Sequence, residues 1–179
     1  MDLDTLKQLI RTTSWFSALG ETCPQQERVV CVSAEQWRQF KTASTGAEFG
    51  LPHDESVFEA FPFADFAWLP TSVYEVDPVP IERMRKKARE KGMEQEFKAV
   101  RLEIFRLTQI TLRSVSEHHF HGIGPTNMTA ARGAALFACR AAAAEIYSGL
   151  PDFWCDIVLL YHRGHWPFGR LESGEVVLL

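Results

Sequence analysis

No run of about eighteen consecutive apolar residues occurs anywhere in the 179-residue chain. The opening MDLDTLKQLI has neither the basic start nor the apolar centre of a secretion signal. A soluble cytoplasmic protein with no membrane partner is expected. The four cysteines, Cys23, Cys31, Cys139 and Cys155, form no CxxC pair, which argues against a zinc knuckle and a redox dithiol. Cys31, Cys139 and Cys155 fall in apolar surroundings and read as buried thiols acting as small hydrophobes, with Cys23 more exposed. Also missing are a GxxxxGK[ST] phosphate loop, a GxGxxG turn after a strand, a GxSxG elbow and a calcium loop. Their absence removes the common ATPase, dinucleotide-enzyme and α/β-hydrolase readings. No motif assigns a catalytic activity, and no cofactor or metal is expected.

What is present belongs to an ordinary folded chain. Hydrophobic residues make up 46% and charged residues 23% of the sequence, enough apolar material to build a core and too much for disorder throughout. At this size one core suffices, so residues 1–179 are expected to form a single globular domain. The net charge of −4 conceals an asymmetry: between Ile81 and Arg106 nine Lys/Arg oppose five Glu, while the rest of the chain is acidic. A basic segment without a basic domain or a readable motif does not make a nucleic-acid surface, and none is expected. The run Arg83, Arg85, Lys86, Lys87, Arg89 and Lys91 fans around a helix among Glu82, Glu90, Glu94 and Glu96, the pattern of a solvated helical face.

Periodicity divides the chain into elements. Leu3, Leu6, Leu9, Ile10, Phe16 and Leu19 recur at helical intervals behind Asp2 and Asp4. Arg28 to Ser33 reads as a strand, and Ser33 with Gln36 opens a short helix carrying Trp37 and Phe40. From Ser44 to Pro80 the chain is acidic and aromatic, with Phe58, Phe61, Phe63, Phe66, Trp68 and Tyr74 among several prolines. That composition suits an ordered excursion over the core, with a strand inside Phe66 to Leu69.

Helix resumes at Pro80. Gly92 either ends it after Lys91 or lies within one long helix. The next segment carries Met93, Phe97, Val100, Ile104 and Leu107 inward, with Leu102, Phe105 and Leu112 widening the apolar face toward a largely covered helix that fails near Ser116. A further helix, capped by Thr126 or Asn127 and stopped by Gly149 and Pro151, contains AARGAALFACRAAAAEI. Its small side chains place it centrally, and Arg132 and Arg140 then need carboxylate or carbonyl partners. Trp154 to Tyr161 and Glu175 to Leu179 read as two antiparallel strands joined through a glycine-rich bend. The expected fold is therefore α+β: a helix-rich single domain with a small antiparallel sheet ending in a C-terminal β-hairpin.

Two segments concentrate chemistry. Tyr161 to Gly169 (YHRGHWPFG) combines His162, Arg163, His165, Trp166 and Phe168 at a glycine-punctuated turn. Imidazoles act as ligands or acid–base groups near neutral pH, and Trp and Arg are enriched where interfaces concentrate energy. The structural reading competes: Trp166 and Phe168 plug the core while the histidines bond to backbone carbonyls. A second cluster, His118, His119 and His121, ends the long helix, so five of six histidines fall in two places. Neither spacing matches the helical HExxH pattern of zinc proteases.

The leading reading is a cytoplasmic, non-catalytic protein-interaction protein, an adaptor or an immunity-type inhibitor. Its partner would be a basic protein, met by the acidic aromatic excursion and the His-Arg-His-Trp turn. Self-association as a homodimer fits the apolar content. The alternative is an uncharacterised enzyme or a small-ligand or metal-binding protein whose site forms where His118–His121 meet His162–His165.

Overall fold

The computed structural model describes residues 1–19, 24, 29–31, 64–65, 79–115, 125–151, 153–171 and 175–178. The expected short helix after Ser33, nearly all of the Ser44 to Pro80 excursion with its strand at Phe66 to Leu69, and the His118–His121 cluster lie outside these residues. Five helices and four short strands are described: α1 (Leu3–Thr12), β1 (Val29–Cys31), β2 (Ala64–Asp65), α2 (Val79–Glu90), α3 (Glu94–Leu112), α4 (Pro125–Ser148), α5 (Trp154–His162), β3 (Pro167–Leu171) and β4 (Val176–Leu178).

Each helix forms for local reasons. Asp2 caps α1 by accepting the Thr5 N–H at 2.7 Å, which also holds its carboxyl below the usual range. Leu6 and Ile10, four residues apart, turn inward. At the end of α2, Gly92 takes φ +70°, its N–H bonding to the Arg89 carbonyl while Met93 N–H reaches back to Ala88. Gly92 is thus the stop between two helices rather than an interior residue of one. α3 buries Phe97, Arg101, Ile104, Thr108 and Leu112, a stripe at steps of three and four. Pro125 opens α4, where its missing N–H costs nothing. Gly149 closes that helix at φ +61°.

α4 is central and packs against all four other helices. Ala131, Ala134, Ala135, Ala138 and Ala141 to Ala144 are all buried, and the absence of bulk lets neighbouring backbones come close. Arg132 meets its need by donating to the Val115 carbonyl at 2.8 Å, and the Arg140 guanidinium lies over the Phe105 ring at 5.6 Å. A smaller cluster of Met84, Ala88, Phe97 and Ala144 joins α2 to the C-terminal half of α4.

Three expectations are corrected. The stretch Trp154 to Tyr161 is helix α5, not a strand: its buried residues Trp154, Ile157, Val158 and Tyr161 follow i, i+3, i+4, i+7, and a short apolar run satisfies both periods until packing chooses. The expected hairpin between that stretch and the C-terminal strand therefore does not exist.

The small sheet is mixed rather than antiparallel throughout. Its order is β1-β4-β3-β2, and β1 runs parallel to β4, pairing Val29 with Val176 and Cys31 with Leu178. Parallel neighbours need a long crossover, here supplied by everything between residues 31 and 176. β4 pairs antiparallel with β3, and β3 with β2, with an irregularity between Pro167 and Gly169. Finally, Cys31 is not a buried thiol. It is exposed on the edge strand and disulfide-bonded, whereas Cys139 is a buried free thiol and Cys155 a half-buried one. Among the described residues, no helix is long and apolar enough to cross a membrane.

Candidate functional site

The turn singled out in the sequence closes α5 and opens β3. Gly164, at φ +89°, donates its N–H to Tyr161 while His165 N–H reaches the Leu160 carbonyl, so the helix ends in a left-handed glycine turn. A side chain at this position would stand 2.5 Å from Ser17 Oγ and 2.9 Å from Ala18 N. The Gly164 carbonyl accepts the Ala18 N–H at 2.9 Å. The turn is thereby bolted to the segment after α1.

That segment contributes Phe16, a buried non-glycine residue held at φ +60°. Such a backbone costs about 1–2 kcal/mol and persists where surrounding packing over-determines it. Here the packing is aromatic. Phe16 meets Tyr161 edge-on with centroids 5.6 Å apart and Trp166 edge-on at 6.5 Å, while Trp15 lies 5.8 Å from Tyr161. Tyr161 donates its hydroxyl to the Pro167 carbonyl at 3.2 Å, and burial raises its pKa well above the ordinary phenol value.

The candidate residues separate accordingly. Trp166 is 0% and His165 7% exposed, so both belong to the interior. Burial, and then the positive charge of Arg163, hold the His165 pKa below 6.5, which keeps the imidazole neutral at physiological pH. Arg163 is exposed and His162 half-buried. The buried Nδ1 of His162 has no hydrogen-bond partner among the described residues. Phe168 takes its place in β3, but its side chain lies outside the description, as do His119 and His121 entirely.

The turn thus sets Tyr161 and Trp166 against Phe16, with His165 buried, His162 half-buried and Arg163 exposed. Chemically this is a largely buried aromatic junction of Trp15, Phe16, Tyr161 and Trp166. Among the described residues, no group of three or more His, Cys, Asp or Glu side chains is placed to hold a metal ion.

Exposed aliphatic side chains are found on another element. On α3, Leu102 is 48% and Ile110 62% exposed, and Arg106, Gln109 and Arg113 share their face. Leu102, expected to widen a largely covered apolar stripe, instead faces solvent. The signal was available: Leu102, Arg106, Gln109 and Arg113 recur at three- and four-residue steps on the side of the helix opposite Ile104. Around that face the carboxylates are engaged. Glu103 binds Lys7 at 2.8 Å, Glu96 accepts from the Tyr147 hydroxyl at 2.9 Å, and Glu94 meets Arg89 at 3.4 Å. No protein-family model matches the chain, and no curated protein matches it.

Proposed function

We propose that the protein is a non-catalytic protein-interaction protein, of the adaptor or immunity-type inhibitor kind. The observation that carries this reading is the exposure of Leu102 and Ile110 on one face of α3, where large apolar side chains stand in water beside guanidinium groups. Aliphatic side chains rimmed by charge are the chemistry of a contact surface. Among the described side chains of the imidazole turn, only Arg163 is fully exposed. Substituting His165 or Trp166 would report on folding, so Arg163→Ala is the informative change there.

The test is quantitative affinity capture from a native lysate, with light scattering on the purified protein. A partner recovered in near one-to-one amount, or a stable homodimer, supports the reading. A monomer that retains nothing beyond a heat-unfolded control overturns it.

A second reading, a small-ligand or metal site at the histidine clusters, is favoured by the unmet Nδ1 of His162, since a buried polar atom without a partner is costly. Stoichiometric zinc, iron or nickel in protein purified without a histidine tag, lost in His162→Ala, would support it. In compartment terms, the sequence points to the cytoplasm while the Cys31 disulfide belongs to oxidising surroundings. Alkylation of thiols in intact cells separates the two.

A further inference from the structure

We infer that the outer face of α3 docks an acidic amphipathic helix of a partner protein, an inference that rests on the interaction reading above and names the chemistry of the partner. Leu102 and Ile110 lie two helical turns apart, about 12 Å along the axis, on a face whose opposite side is buried against α4. Arg106 sits between them and Arg113 beyond, both exposed. Neither guanidinium has an ion-pair partner among the described residues, whereas Glu94 and Glu103 are paired with Arg89 and Lys7. Around Leu102 and Ile110 the face therefore offers two aliphatic anchors and two guanidinium groups, those of Arg106 and Arg113.

A second copy of this chain is a poor occupant. A twofold antiparallel pairing of α3 centred on residue 106 would match Leu102 with Ile110 but set Arg106 against Arg106, with no carboxylate of α3 among the described residues placed between them to offset the repulsion. A nucleic acid would satisfy the cations and leave Leu102 and Ile110 against a phosphate backbone, gaining nothing from their burial. A helix bearing aliphatic residues on one stripe and Asp or Glu beside it satisfies both features, lying along α3 with its apolar side chains between the Arg106 and Arg113 ridges.

The experiment uses the full chain and a short synthetic helix-forming peptide with leucines at i, i+4 and i+8 and glutamates flanking them. Fluorescence anisotropy compares it with a twin in which every glutamate is lysine, a twin in which every leucine is serine, and a DNA duplex of similar length. The glutamate–leucine peptide is expected to bind saturably, and both twins to bind about tenfold or more weaker. The Leu102→Ser/Ile110→Ser double variant and the Arg106→Glu/Arg113→Glu double variant are each expected to lose about tenfold or more, with circular dichroism unchanged because all four side chains are exposed.

Binding that ignores both double variants overturns the assignment, as does the duplex outcompeting the peptide, or a dimer dissolved by Leu102→Ser/Ile110→Ser. Lysate capture with the same variants keeps the two claims apart. A partner still held by both double variants leaves the interaction reading standing and removes α3 from it, while no partner for the unmodified chain removes the interaction reading itself.

Discussion

His165 and the glycines carry the clearest consequences at the scale of single residues. The folded-state pKa of His165 lies below its ordinary 6.5 because burial, and then Arg163, disfavour the imidazolium. Above pH 6.5 both folded and unfolded chains hold it neutral, so it adds no pH dependence there. As the pH falls through 6.5 the unfolded chain takes the proton first. Stability therefore drops until the folded-state pKa is also passed, then levels. Urea midpoints at about pH 7.5 and about pH 5.5 are expected to differ more for the unmodified chain than for His165→Gln; equal slopes would contradict the assignment. Gly164 and Gly92 make a matched pair. Both need positive φ, but a Cβ at Gly92 meets nothing within 4 Å whereas at Gly164 it strikes Ser17 and Ala18. Gly92→Ala is expected to cost about 1 kcal/mol and Gly164→Ala about 3 kcal/mol or more in the same denaturation assay. Similar losses would mean that the Gly164 turn is not clamped to the segment after α1.

At the scale of elements, α5 begins without a capping side chain of its own at Phe153. Glu145 of α4 serves instead, accepting the Cys155 N–H at 3.1 Å, a carboxylate at the positive end of the helix dipole. Glu145→Ala is expected to destabilise the fold by about 1 kcal/mol. A second readout is the thiol of Cys155, pushed up to about 12 by burial and by the Glu145 carboxylate. Removing that carboxylate should speed its alkylation, and an unchanged rate would argue against the contact. These elements also mark what sequence could and could not tell. The stop at Gly149 and the central alanine-rich helix were legible, since φ preference and small side chains act locally. The nature of α5 was not, because WCDIVLLY fits a strand by composition and a helix by spacing, and only burial against α1 and α4 decides. Strand direction was equally hidden: the parallel partner of β1 lies at the far end of the chain, and local pattern says nothing about which way a distant strand runs.

At the scale of the whole molecule, Tyr161 to Trp166 form the joint between α5 and β3, and α3 exposes Leu102 and Ile110. The burial of His165 and Trp166 was unreadable for a physical reason: histidine and tryptophan suit a buried junction as well as a site, and burial is a property of the assembled fold. Redox state is also a global property here. Cys31 is expected to resist iodoacetamide until a reductant is added, since it is disulfide-bonded, while Cys155 labels slowly and Cys139 only on unfolding. Mass spectrometry of labelled peptides reads all three, and immediate labelling of Cys31 would show the bridge absent. The burial of Gly164 to Trp166 is the central structural claim about the turn, and hydrogen exchange across residues 160–167 measures it most directly. The amides of Gly164 and His165, bonded to Tyr161 and Leu160 beneath a fully buried Trp166, are expected to exchange only with global unfolding, as slowly as the middle of α4. Exchange within seconds, at the rate of a surface loop, would contradict the account.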